Sequence, residues 1–217
     1  WQQPIGRVKH IPNGIDTKGF VAKPRPDALR GVIKHEGEKW VGSLAGLRAV
    51  KNQTALVRAV ARLPDEWQLV IVGDGPERDA IRDAAEAADI AHRVHLPGFV
   101  AKPKTFLGLF DIFALSSRSE QFPLSVVEAM AACLPVAAPA VGDIAAMVAE
   151  ENAPFIVRPN DQDAFSQALL TLAADADRRQ TIGQANRAKA RSQFDEAKMI
   201  ATYRRLYASA LGGGALD

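Results

Sequence analysis

Two hydrophobic periods take turns along this chain. Residues 67–73 (WQLVIVG) form a continuous apolar run, the pattern of a strand buried on both faces of a parallel sheet. Shorter runs predict further strands over 7–12, 40–44, 93–96, 111–116, 135–139 and 155–158, the first closed by the Asn13-Gly14 turn signal. Between them the period lengthens to that of a helix. In 52–63, Leu56, Val57, Val60 and Leu63 fall at i, i+1, i+4 and i+7 on one face. Similar patterns predict helices over 77–88, 102–109, 124–133 and 143–150. Strands alternating with helices over short loops predict an α/β fold with a doubly wound, parallel, Rossmann-like sheet.

Beyond residue 158 the strands stop. A helix over 161–173 follows the Asn160-Asp161 cap signal and gathers Phe165, Ala168, Leu169 and Leu172 on one face. Two more helices are predicted over 176–191 and 195–211, the last with Met199, Tyr203, Leu206 and Tyr207 on a stripe and Gly212-Gly213-Gly214 as a frayed end. No internal repeat or low-complexity linker divides the chain, apart from a proline- and charge-rich connection over 23–39. Residues 1–217 are therefore read as one domain.

Composition narrows the function classes. With 47% hydrophobic and 24% charged residues, the chain can bury a core without disulfides. Its formal net charge of +2, spread along the chain, offers no footprint for nucleic acid. Cys133 is the only cysteine and lies in an apolar stretch, so a buried, inert thiol fits better than a catalytic one. That usage fits a reducing, cytoplasmic compartment. His10, His35, His92 and His95 lack metal-ligand spacing, and no metal site is expected. Glu128 and Asp143 interrupt the longest apolar stretch, so no bilayer span is expected, and WQQPIGRVKHIP does not read as a signal peptide.

Three loops at predicted carboxyl ends of strands carry candidate chemistry. The first runs from Gly42 and Ser43 to Lys51. Its small residues would let backbone N–H groups approach a ligand, while Arg48 and Lys51 bring positive charge to a helix start. A phosphate site and a solvated loop are both open for it, and the Walker pattern is absent. The second, Gly73-Asp74-Gly75-Pro76, suits a tight structural turn and does not match the GxGxxG dinucleotide fingerprint. The third runs from Ser116 to Met130. Pro123 opens a helix whose N–H groups at Leu124 and Ser125 would form an anion site, with Glu120 just before it. Glu128 is the only formal charge between Glu120 and Asp143. It must face a cleft or find a partner, because a buried unpaired charge is costly. Carboxylates suit sugar hydroxyls, from which they accept charge-assisted hydrogen bonds.

Taken together and in order, these segments resemble the retaining glycosyltransferase family 4 of the GT-B superfamily. The resemblance rests on IPNGID (11–16), VGSLAGLRAVKN (41–52), VIVGDGPER (70–78), VHLPGFV (94–100), the E-x7-E spacing of Glu120 and Glu128, EAMAACLPVAAPAVG (128–142) and the closing YRRLY (203–207). It implies the C-terminal, donor-binding half of a GT-B enzyme that moves a sugar from a UDP- or GDP-linked donor to an acceptor such as a glycolipid or cell-envelope polysaccharide.

By that resemblance Glu120 would hold donor-sugar hydroxyls and Glu128 the ribose. Arg48 and Lys51 would neutralise the diphosphate with help from the N–H groups of Phe122, Leu124 and Ser125, Pro123 lying against the donor without an N–H of its own. Pro97, Gly98 and Phe99 would line the nucleobase pocket, and Gly42, Ser43, Gly73 and Gly75 would lie against the donor. No cofactor or metal is implied, because cations and a helix N-terminus stabilise the leaving diphosphate. The acceptor-binding N-terminal half would be the partner, receiving a closing helix over about 192–211 and carrying any association with the inner face of the membrane. The fragment alone is expected to be inactive. Two departures stand out: Gln121 and Pro123 replace frequent glycines, and Ser43 replaces a frequent arginine. Alternatives are a non-catalytic nucleotide-sugar-binding module or another GT-B enzyme such as an epimerase.

Overall fold

The computed structural model describes residues 8–20 and 23–211. Strands β1 (Lys39–Leu44), β2 (Trp67–Val72), β3 (Val94–Gly98), β4 (Ile112–Ala114), β5 (Val136–Pro139) and β6 (Ile156–Val157) form one sheet in the order β3-β2-β1-β4-β5-β6. Every pairing in it is parallel. The order reverses between β1 and β4. In an open sheet of this kind ligands settle outside the carboxyl ends of the strands at that reversal.

Both faces are covered, as the unbroken apolar strands require. Successive strand residues point to opposite faces, so Trp40, Val70 and Phe113 join one core while Val41, Ile71 and Ile112 join the other. Helices α1 (Gln53–Val60) and α2 (Arg78–Ala87) cover the second core together with α5 (Gln162–Ala174). Helices α3 (Leu124–Ala131) and α4 (Ile144–Met147) cover the first, reinforced by Ala190 and Phe194 around the end of α6 (Ala176–Gln193). Pro97 is tolerated in β3 because that strand is the sheet's edge.

Several local expectations need correction. Residues 8–14 form no strand, and Arg7 lies outside the described residues. Ile15 instead pairs with the junction of α6 and α7 (Glu196–Ala210): its N–H donates to Phe194 and its carbonyl accepts from the Glu196 N–H. The helix expected over 102–109 is two 3-10 turns, Pro103–Thr105 and Leu107–Leu109, entered through Lys102 at φ 63. That over 143–150 is a single turn, followed by a 3-10 stretch over Glu150–Phe155. Cys133 is half-buried rather than buried, at φ 68 just past α3. The closing helix begins at Glu196, since Ser192 and Gln193 belong to α6. None of its residues is buried, and Tyr203 and Tyr207 stack on each other in the open. The Gly212-Gly213-Gly214 end lies outside the described residues.

A buried clasp that the hydrophobic pattern does not reveal ties the helical end to the sheet. Asn152 and Asn186 are both fully buried. The Asn152 side chain accepts from the Val136 N–H and donates to the Val136 carbonyl, both at 2.8 Å. Asn186 donates to Asn152 and to the Leu134 carbonyl and accepts from the Ala149 N–H.

Candidate functional site

The predicted loops do gather at the reversal between β1 and β4. After β1 the chain turns through Ala45–Arg48 and meets the turn that follows β2: the Leu47 N–H donates to the Asp74 carbonyl at 2.9 Å, and the Glu77 N–H to the Leu47 carbonyl at 3.1 Å. Gly73 is at φ 148, and a Cβ there would lie 1.9 Å from the Ala45 carbonyl oxygen, so this glycine is demanded by loop packing. Gly75 faces the Leu47 backbone in the same way. Gly42 is required from another side, because a Cβ would enter the Phe110 ring. Ser43 is 1% exposed within β1, so it lies beneath the loops rather than among them. For these positions the structure supplies packing reasons.

A 3-10 turn over Ala49–Lys51 then leads into α1 through Asn52 at φ 51. Two hydrogen bonds stitch this turn to the carboxyl end of β4: the Ser116 hydroxyl donates to the Lys51 carbonyl at 2.9 Å, and the Arg118 N–H to the Val50 carbonyl at 2.8 Å. With the backbone so held, the Lys51 ammonium reaches the Glu120 carboxylate at 2.5 Å. The Ser117 hydroxyl donates to the same oxygen at 2.6 Å. The Lys51 side chain is 22% exposed and that of Glu120 9%, so the pair is only partly screened by water. Ser116 and Ser117 were not singled out from the sequence. The Ser-x-x-Glu spacing from Ser117 to Glu120 was the available signal, since a serine hydroxyl three residues before a carboxylate can reach it in a turn.

Past Glu120, the Gln121 carbonyl accepts from the Asp143 N–H at 2.8 Å, and Phe122 packs edge-on against Phe194. Pro123 caps α3 rather than starting it, so Leu124 is the first helical residue. Among the described residues, no partner takes the Leu124 or Ser125 N–H, leaving a helix N-terminus open to a ligand. Glu128 stands a turn further in, half-buried, and makes no hydrogen bond or ion pair among the described residues. Desolvation pushes its pKa from 4.5 up to about 6, opposed by the charge of Lys104. Lys104 itself pairs with Asp16 in the segment before β1.

At the edge of the sheet, the Gly73 N–H donates to the Gly98 carbonyl at 2.9 Å, joining the turns after β2 and β3. Arg78 donates to the Leu96 carbonyl at 2.8 and 3.2 Å, a bracing contact that reading the motif as a turn overlooks. Pro97 and Gly98 are half-buried, and Phe99 projects at 78% exposure. Arg48 is exposed and has no carboxylate partner among the described residues. Those residues contain no cluster of three His, Cys, Asp or Glu side chains and no helix long and apolar enough to cross a membrane.

This arrangement coincides with a sequence match over residues 25–189 to the family Glycosyl transferases group 1. The chain belongs to that family. It is 25% identical over 207 residues to N-acetyl-alpha-D-glucosaminyl L-malate synthase of Bacillus anthracis, covering 94% of this chain and 54% of that protein. It is 25% identical to Anabaena HepE, solved in complex with UDP-glucose, with a TM-score of 0.82 over 93% of this chain and 57% of HepE. The C-terminal domain of a group 1 glycosyl transferase from Francisella tularensis shares the fold, with a TM-score of 0.70, 20% identity, and coverage of 84% of this chain and 99% of that domain. The chain spans about half the length of the curated relatives it matches. Its open, six-stranded parallel sheet is the Rossmann-like architecture of these GT-B neighbours.

Proposed function

We propose that this chain is the donor-binding half of a retaining glycosyltransferase that moves a sugar from a UDP- or GDP-linked donor to a carbohydrate or lipid-linked acceptor. The observation that carries this reading is the Lys51–Glu120 pair beside the open N-terminus of α3. It supplies a cation for a diphosphate, a carboxylate for sugar hydroxyls and unpaired N–H groups for phosphate oxygens within one loop cluster. The structure of HepE with UDP-glucose is a precedent for such a donor in a similar fold.

In this reading Glu120 orients the sugar, and Lys51 and Arg48 neutralise charge as the glycosidic bond to the diphosphate breaks. Glu128 accepts from ribose hydroxyls. Ser125 and its neighbours meet the phosphates, and 97–99 line the base. No bound metal is needed, since the cations and the helix terminus do that work. The acceptor would be held by a second domain, so the chain alone binds donor without turning it over.

Calorimetric titration with UDP-glucose, UDP-N-acetylglucosamine and GDP-mannose tests this reading, with Lys51→Ala and Glu128→Ala alongside. One nucleotide class should bind, more weakly to both variants. Failure of all three donors to bind the full-length protein at millimolar concentration would defeat the reading, and sugar transfer by the isolated chain would overturn the claim of inactivity.

A further inference from the structure

A second cleft borders the Ser116–Arg118 loop, and neither Lys51 nor Glu120 is among its lining residues. It lies at the carboxyl ends of β4, β5 and β6, between the starts of α1 and α5, and holds about 210 Å³. Three arginines, all exposed, are among its lining residues: Arg58 from α1, Arg118 from the loop after β4 and Arg158 just past β6. Asp161 is the only carboxylate among the lining residues. It is already engaged, one oxygen capping α5 through the Ala164 N–H at 3.0 Å and the other 3.4 Å from Arg158. Arg58 and Arg118 have no carboxylate partner among the described residues.

Arginines that border one cleft give it a positive field that draws an anion. The floor differs from the rim. Ala55, Pro139 and Phe165 are buried and apolar there, which suits a carbon skeleton attached to the anion. The volume is below the range usual for drug-sized ligands, so the cleft fits a small phosphomonoester better than a whole nucleotide.

We propose that this three-arginine cleft is a binding site for a phosphoryl dianion, separate from the donor site. Guanidinium groups present paired N–H donors that match phosphate oxygens. The phosphoryl group could arrive as free inorganic phosphate or be carried on a small polyol. The inference is independent of the donor reading, which assigns none of these arginines. Ser117 belongs to both places: it lines this cleft and holds Glu120.

The test is a titration of the isotope-labelled chain with inorganic phosphate and with glycerol 1-phosphate, each with and without saturating UDP, followed by amide NMR shifts. Saturable shifts at Asn52, Ser117 and Asn160 are expected, largely unchanged by UDP. The Arg58→Gln/Arg158→Gln double variant should weaken binding by roughly fivefold or more, as expected for lost charge-assisted bonds. Tighter binding of glycerol 1-phosphate supports a carried phosphoryl group and equal binding supports the free ion. The proposal is overturned if neither anion shifts those amides, if UDP displaces phosphate, or if the folded double variant binds unchanged. Should that variant fail to fold, the wild-type shifts and the UDP competition still decide. If UDP does not bind, GDP takes its place in the competition; if neither binds, the donor reading is tested separately on the full-length protein, while the arginine variants still judge this cleft.

Discussion

The Lys51 ammonium donates a 2.5 Å hydrogen bond to the Glu120 carboxylate across 69 residues of sequence. The two groups expected to serve different parts of a donor therefore hold each other. A donor that takes the lysine onto its diphosphate must leave Glu120 with the Ser117 hydroxyl and the sugar's own hydroxyls as partners. Lys51→Ala should cost the equivalent of a hydrogen bond to a charged group, about 1.5–3 kcal/mol, and so weaken UDP-glucose binding roughly tenfold to a hundredfold. Calorimetry on the wild type and the variant measures this directly; equal affinities would mean that Lys51 serves only Glu120.

The proposed role of Glu128 predicts that donor binding depends on pH. A ribose hydroxyl donates best to the ionised carboxylate, whose pKa burial has raised to about 6. Affinity for UDP-glucose should therefore rise with pH through that value and level off above it. The sugar nucleotide suits the test because its diphosphate has no ionisation nearby to mask the effect. Glu128→Gln should flatten the profile.

The same carboxylate affects stability with a definite sign. Its folded pKa lies above the ordinary glutamate value of 4.5, so the native state holds the proton more tightly than the unfolded chain. The stability this contributes is complete below pH 4.5 and is lost as the pH rises through about 6. Glu128→Gln should then raise the melting temperature relative to the wild type above that range. No such gain is expected in more acidic buffer, and thermal scans across the range check the crossover.

Glycines of the site loops should differ sharply in tolerance. Gly98 is at φ 84 with nothing within 4 Å of an added Cβ, so Gly98→Ala meets only the left-handed backbone cost of about 1–2 kcal/mol. Gly73→Ala would press on the Ala45 carbonyl as well, adding an overpacking cost of about 1–3 kcal/mol. Urea denaturation should rank Gly73→Ala as the more destabilised of the two.

The asparagine clasp predicts a large effect far from any ligand. Asn152→Ala would leave the buried Val136 N–H and carbonyl without their side-chain partners. Each unsatisfied group costs about 1–3 kcal/mol, and chemical denaturation should show a loss of about 2 kcal/mol or more. An unchanged midpoint would mean that water replaces the amide.

The sequence by itself determined the layered α/β plan, because a strand covered on both faces must be apolar throughout, and WQLVIVG and its companions are. It also marked candidates for chemistry: a charge that interrupts an apolar helix, as Glu128 does, is visible in one dimension. Errors fell where local pattern was outweighed. Residues 7–12 read as a strand, yet 8–14 form none and Ile15 bridges to Asp195 beside α7, 180 residues away; the stretch over 102–109 read as one helix, yet its two 3-10 turns are parted at Phe106, whose φ is -128.

The strand order, the closeness of Lys51 to Glu120, the burial of Ser43, the Asn152–Asn186 clasp and the presence of three arginines at one cleft came from the fold alone. Each of these joins segments that are distant in sequence. Periodicity reports which face of an element is apolar, but the neighbour that face or loop meets is chosen by how the whole sheet closes and packs.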